Sequence, residues 1–267
     1  MSLPLLRSER IGAGFVHGFT TRAGGVSAPP YDTLNLGGKW GDDPAHVSEN
    51  RRRLAQAAGG QPFVARQVHG TTVRRVRADE DRAEVARHEA DGLCSDVPGL
   101  VLGVFVADCV PVLLADPRTG AAAAVHAGWR GTVAGILPEA VRVLSAEFGA
   151  RPQDLRVALG PAIGPCCFEV GLEVVEAFAA AIPDARERGI VRPSPRGVAD
   201  KAQVDLHAAN RLLLAQAGVD PQAVDAVPGC TRCDRQRFFS FRRDGASTGQ
   251  QMAFVGRAPL EGAAPRL

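Results

Sequence analysis

The stretch GLVLGVFVADCVPVLLADPRTGAAAAVHAGWRG, residues 99–131, decides how this chain is to be read. Apolar runs over Gly99–Ala107, Val110–Ala115 and Ala121–His126 are short, rich in Val, Leu and Ala, and broken by Asp, Pro and Gly, the pattern of buried strands. Their connections are too short for helical crossovers, so hairpins and a mixed sheet are expected. Leu155–Leu159, Phe238–Phe241 and Met252–Val255 read as further strands. Helical periodicity marks Pro44–Ala58, Val133–Phe148, Leu172–Ala181 and Val204–Ala217, with Gly149 and Gly218 as stop signals. The highly charged excursion Arg74–Glu89 reads as an exposed loop or a short surface helix. The fold class is therefore α/β (α+β), with mixed sheets packed against helices.

The rest of the chain is consistent with one domain over residues 1–267, because no repeat, low-complexity run or Ser/Gly linker divides it. Hydrophobic residues make up 45% and charged residues 22%, enough apolar matter for a sizeable core and too few charges for a disordered chain. Asp108 and Pro111 interrupt the longest apolar stretch well short of a bilayer crossing. Met1–Ile11 carries Arg7, Glu9 and Arg10 and lacks an apolar signal-peptide core, so a cytoplasmic location is expected. A net charge of +2 leaves no footprint for nucleic acid, and the cluster Arg51, Arg52 and Arg53 reads as a solvated helix face. Six cysteines in a chain of this length read as reduced thiols rather than a disulfide scaffold. Nothing in the sequence sets the oligomeric state; a monomer is the default expectation.

Chemistry concentrates where polar clusters interrupt apolar strands. Val106-Ala-Asp-Cys-Val-Pro-Val112 puts an acid and a thiol at one strand end, and Val125-His-Ala-Gly-Trp-Arg-Gly131 puts an imidazole at the end of the next. Simple sheet pairing would bring them together, and glycine after the histidine lets a ligand approach. Arg66-Gln-Val-His-Gly70 supplies a second imidazole, again before glycine. Two imidazoles and a thiolate suit Zn²⁺ with an open fourth position. Taken singly, Cys109 also reads as an inert buried thiol and His126 as a satisfied core histidine.

Six blocks, in order along the chain, resemble the signature of the YfiH family, long labelled as laccase-domain or multicopper polyphenol oxidase proteins. They are His17-Gly-Phe-Thr-Thr-Arg-Ala-Gly-Gly-Val-Ser27, Gln67-Val-His-Gly70, Ala107-Asp-Cys-Val-Pro111, Val125-His-Ala-Gly-Trp-Arg-Gly131, Gly160-Pro-Ala-Ile-Gly-Pro-Cys-Cys-Phe-Glu-Val-Gly171 and Phe239-Ser-Phe-Arg-Arg-Asp-Gly245. The resemblance implies a single α/β domain with zinc on His69, Cys109 and His126. It also implies a purine nucleoside phosphorylase that cleaves methylthioadenosine and deaminates adenosine. Its partners would be small molecules, purine nucleosides and phosphate, with no nucleic acid and no membrane. Departures are slight: Phe241 where Tyr is frequent, and Cys94 where an aliphatic residue is usual.

Rival readings are weaker. A multicopper oxidase needs many imidazoles and usually an axial thioether, whereas this chain has six His and two Met. Copper in the single His/Cys site remains the alternative ion, since copper outcompetes zinc at such ligands. Cys230 and Cys233 form a C-x-x-C, but Cys166 and Cys167 are adjacent and no second C-x-x-C exists, so a tetrathiolate site is not expected and replacing Cys230 and Cys233 should leave metal content intact. The H-x-E and P-C-x-x-C pattern of zinc deaminases is absent. Gly245-Ala-Ser-Thr-Gly249 precedes a strand rather than a helix, so it reads as a hairpin turn and not a nucleophile elbow. Neither a Walker A pattern nor a complete dinucleotide fingerprint occurs, so no nucleotide cofactor is inferred. Arg22 and Arg130 are read as phosphate or ribose contacts, and Asp108, beside Cys109, as the proton-transfer group.

Overall fold

The hairpin of residues 110–115 and 122–127 is the centre of the computed structural model, which describes residues 3–260, while the strand at 102–106 joins a second sheet instead of pairing with its neighbour in sequence. Met1 and Ser2 of the N-terminal segment read above, and residues 261–267, lie outside the described residues. The strands are β1 (Leu5–Leu6), β2 (Phe15–Thr20), β3 (Val73–Arg75), β4 (Gly92–Ser95), β5 (Leu102–Val106), β6 (Val110–Ala115) and β7 (Ala122–Ala127). They continue with β8 (Arg156–Leu159), β9 (Glu169–Gly171), β10 (Val191–Pro193), β11 (Lys201–Val204), β12 (Val224–Ala226) and β13 (Gln251–Arg257). The α-helices are α1 (Pro44–Ala58), α2 (Arg82–Val85), α3 (Trp129–Val133), α4 (Ile136–Phe148), α5 (Leu172–Ala181), α6 (Leu206–Gln216) and α7 (Phe241–Asp244).

Strands β12-β8-β6-β7-β4-β3 form a six-stranded mixed sheet, antiparallel at its centre and parallel at both edges. Strands β1-β2-β13-β5 form a second, antiparallel sheet, and β10-β11-β9 a small third one. Side chains alternate along each strand. Val110, Val112 and Leu114 of β6, with Ala123, Val125 and Ala127 of β7, therefore meet Ile136, Leu137, Ala140 and Leu144 of α4. Leu113 and Ala115, with Ala122 and Ala124, face the second sheet through Leu102, Val104, Ala253 and Val255. Met252 and Phe254 on the far side of that sheet pack with Leu34, Leu36 and Leu54, the last from α1. The order of layers is helix, sheet, sheet, helix. A central sheet covered on both faces is why residues 99–127 read as nearly continuous apolar runs.

Helix ends follow local chemistry. Asp43 caps α1 by accepting from the Ala45 N–H, Pro44 occupies its first turn, and Gly59 closes it in the left-handed conformation. Gly149, at φ 66°, and Gly218, at φ 89°, end their helices as the sequence suggests. The single helix expected over Val133–Phe148 is instead two, because Gly135 at φ 87° breaks it between α3 and α4. The strand expected at Phe238–Phe241 is absent: Ser240 accepts from the Arg243 N–H and caps α7 there. Arg74–Glu89 holds the short surface helix α2, anchored by the buried Val85.

Before α1, the loop of residues 21–42 has no sheet to hold it and is organised by Asn50. This fully buried side chain accepts from the Val26 N–H, and the two hydrogens of its Nδ2 are shared among Ser27 Oγ and the carbonyls of Thr33 and Asn35, at 2.9–3.1 Å. Asn50→Ala would strand these groups in the interior, at a cost of about 1–3 kcal/mol. The urea midpoint should fall accordingly, and a stability change within error of zero would show that water replaces the amide.

Candidate metal centre

Topology puts four chain ends at one edge of the six-stranded sheet. Strands β6 and β4 both run antiparallel to β7, so the residues just before β6 and β4 lie beside the end of β7, and the loop entering β3, parallel to β4, joins them. Cys109 precedes β6, His126 ends β7, and His69 lies in the loop before β3. Their ligand atoms fall within 4.8 Å of one another. The imidazole rings of His69 and His126 meet edge to face at 4.8 Å.

Asp91, just before β4, holds this arrangement. One carboxylate oxygen accepts from His126 Nδ1 at 2.8 Å and from the His69 N–H at 2.9 Å; the other accepts from the N–H groups of Val68 and Gly70, at 3.1 and 2.7 Å. Because Nδ1 of His126 faces Asp91, its Nε2 is the nitrogen left for a ligand once its own proton has gone. The N–H contacts fasten the loop where His69 adopts φ 62°, a costly conformation for a residue with a Cβ. Burial alone would raise the Asp91 carboxyl, but the His126 hydrogen bond and the backbone N–H groups outweigh it and hold it below the usual range.

The thiol and imidazole shift each other. Burial would push Cys109 up, yet the charge of His126 and hydrogen bonds from His126 and His69 bring it down to about 6. Burial would push His126 down, yet the Cys109 thiolate and the Asp91 carboxylate raise it to about 9. A thiolate beside two oriented imidazoles is a donor set that fits a divalent transition ion. The space also fits: a Cβ added to Gly128 would come within 2.9 Å of Cys109 Sγ and 3.0 Å of His69 Cδ2, so only glycine leaves the cradle open.

The centre forms the floor of a cavity of about 750 Å³. Its wall carries the rings of Trp40 and Phe241, stacked at 5.5 Å, and the cations Lys39 and Arg242. Asp108 lines it too, at φ 99°, its carboxylate accepting from Thr231 Oγ1 at 2.5 Å and from the Arg242 N–H at 2.6 Å. Arg22 and Arg130 do not line this cavity. The Arg22 guanidinium sits in a neighbouring cleft, paired with Asp32 at 3.0 Å, bonded to the Asp32 and Arg235 carbonyls, and packed over the Phe239 ring. Arg130 lies over the Trp129 ring at 4.3 Å. Sequence reading missed Asp91, Lys39 and Trp40; an acid placed before glycine at the start of an apolar strand was the available signal for the first.

Residues 16–258 match the family described as multi-copper polyphenol oxidoreductase laccase. The chain belongs to this family. It is 40% identical over 254 residues to a Geobacillus stearothermophilus protein named purine nucleoside phosphorylase YlmD, covering 92% of this chain and 91% of the other. Purine nucleoside phosphorylase YfiH of Escherichia coli is 41% identical, with 88% and 91% covered. Among solved structures, a Bacillus licheniformis hypothetical protein YfiH superposes with a TM-score of 0.84 at 34% identity, covering 91% of this chain and 92% of that one. The family resemblance drawn from the six blocks is thereby shown. No helix among the described residues is long and apolar enough to cross a membrane.

Asp91→Asn should weaken metal binding by about 10–100-fold, because an amide cannot accept from all four donors; competition with a chromophoric chelator measures it, and undiminished affinity would remove Asp91 from the site. In metal-free protein, the thiolate absorbance that disappears in Cys109→Ser should titrate at about 6. The neutral imidazole and the thiolate are the ligand forms, so metal uptake should weaken as pH falls through about 9, where His126 takes a proton, and more steeply below about 6, where Cys109 does too. A midpoint at an ordinary thiol pKa would contradict the His126 pairing.

Proposed function

We propose that this chain is a zinc-dependent purine nucleoside phosphorylase. In this reading it cleaves adenosine, inosine and methylthioadenosine to the free base and (methylthio)ribose 1-phosphate, and it deaminates adenosine. The observation that carries the proposal is one cavity shared by a His–Cys–His centre, an aromatic pair and the cations Lys39, Arg66 and Arg242. The names borne by relatives at this level of identity point the same way.

Phosphorolysis needs an anion held near C1′ of the ribose while the N-glycosidic bond breaks, and a place for the charge left on the purine. A phosphate oxygen bonds to C1′ as the electron pair of the broken bond passes to the base, which then takes a proton. Lys39 and Arg242 are the proposed phosphate contacts, taking the part that sequence reading gave to Arg22 and Arg130. One Arg242 Nη donates to the Glu169 carbonyl at 2.7 Å, which fixes the fork and leaves its other donors for a ligand. The rings of Trp40 and Phe241 offer a face on which a purine can stack. Asp108 is the proposed proton-transfer group, its rotamer locked by Thr231 and the Arg242 N–H. His69, Cys109 and His126 would hold the zinc. When bound, the ion supplies a fixed positive charge that polarises the purine side of the substrate.

The oxidase reading lacks histidines. His17 is bound to Ser8 and His207 to the Gly160 carbonyl, and neither His46 nor His88 joins a group of metal-ligating side chains among the described residues. The remaining parts of the proposal are a single domain, a cytoplasmic location and a monomer.

Purified protein given inosine should release hypoxanthine and ribose 1-phosphate only when phosphate is present, and adenosine should also release ammonia. Free ribose formed without phosphate would make it a hydrolase. No turnover of any purine nucleoside by zinc-loaded protein would favour a binding or redox-sensing role, and copper in the metal analysis would reassign the ion. Asp108→Asn should keep its metal and lose about 10²–10⁴-fold in kcat.

A further inference from the structure

The sequence argues against a tetrathiolate site at Cys166, Cys167, Cys230 and Cys233, yet the fold brings the two pairs together. The two pairs lie on chain segments held side by side by a parallel bridge between Ala162 and Cys230, with the Ala162 N–H donating to the Gly229 carbonyl and the Thr231 N–H to the Ala162 carbonyl. The four Sγ atoms all fall within 4.8 Å of one another. Individual separations are 3.7 Å for Cys166–Cys230, 3.7 Å for Cys166–Cys233 and 3.3 Å for Cys167–Cys233.

These distances discriminate between chemistries. A disulfide needs sulfurs roughly 2.05 Å apart. Zinc–sulfur bonds of about 2.3 Å in a tetrahedron put the sulfurs roughly 3.8 Å apart. The spacing matches the second case. Thiolate sulfurs also need N–H donors, and Cys230 Sγ accepts from the Gly164 N–H at 3.2 Å and from the Cys233 N–H within its own C-x-x-C turn. Four thiolates around a divalent ion leave two excess negative charges, and Arg232 Nη1 stands 3.5 Å from Cys167 Sγ. Gly164 leaves the flank open: a Cβ there would lie 3.2 Å from Cys166 Sγ.

We propose that Cys166, Cys167, Cys230 and Cys233 form a second metal site, a tetrathiolate that binds one zinc ion and is separate from the His–Cys–His centre. Its place in the fold gives it a task. Thr231, inside the C-x-x-C, donates to Asp108, and the Ile163 N–H, just before the cysteine pair, donates to the Asp108 carbonyl at 2.9 Å. Ile163 and Phe168, flanking the pair, both line the cavity. The ion therefore ties together the two loops that fix Asp108 and shape the pocket wall. The inference stands independently of the phosphorylase reading.

Protein purified under reducing conditions, loaded with zinc and desalted, should carry about two zinc ions per chain by elemental mass spectrometry. His69→Ala should lose one, and the double variant Cys166→Ser/Cys233→Ser the other. In the His69→Ala background, cobalt should give the intense charge-transfer and d–d bands of a tetrahedral tetrathiolate, and the added cysteine changes should abolish them. Zinc should also shield about five thiols, Cys109 and the four of the second site, from a disulfide reagent until a chelator is added. A single zinc in wild-type protein that survives the Cys166/Cys233 changes would overturn the proposal. So would thiols that react freely in zinc-loaded protein.

Discussion

The Asp91 carboxylate sits where β3, β4 and β6 begin and β7 ends, and it accepts three backbone N–H groups and one imidazole N–H. Burying a lone carboxylate would cost several kcal/mol; four donors offset that and turn the charge into an organiser. It compensates the left-handed backbone at His69, fixes the tautomer of His126, and through His126 holds the Cys109 thiol in its reactive form. The ligand triad is thus preorganised by an acid that coordinates nothing. Ionic attraction alone would not do this, since it is the number and direction of the N–H groups that place the loop.

Two further polar side chains act in the same way on the cavity wall. Asn50 secures the loop that leads to Lys39 and Trp40, and Asp108 secures the segments that carry Arg242 and Thr231. The apolar layers set the sheets face to face, but they leave the loops above the sheet edge undetermined. There, each loop is positioned by one buried polar group with all its partners satisfied. Gly128 completes the arrangement by leaving unfilled the volume that a ligand needs.

What the sequence disclosed follows from this division. Strands of the central sheet were legible because burial on both faces leaves unbroken apolar runs; short connections suggested that Cys109 and His126 meet, and the resemblance of the six blocks added His69. Phe238–Phe241 misled because Phe238 and Phe239 are buried by a turn, not by pairing, and only the Ser240 cap reveals this. Gly135 was hidden in an otherwise continuous helical pattern. Arg22 carries the chemistry of an anion contact, but its partner Asp32 comes from a turn whose approach no local pattern announces. The four cysteines argued against a shared site because two are adjacent and only one C-x-x-C exists, while the bridge at Ala162, which joins segments 66 residues apart at Gly164 and Cys230, leaves no local pattern.

That the triad comes from three separate strand ends has a consequence for how the protein is born. The three donors are all in hand only once residue 126 has been made and paired, so an emerging polypeptide could not close the site around an ion before then. Capture would then act as a check on strand pairing: an ion at a thousand times its Kd would deepen the native well by about 4 kcal/mol, and only for chains whose central strands are already in register.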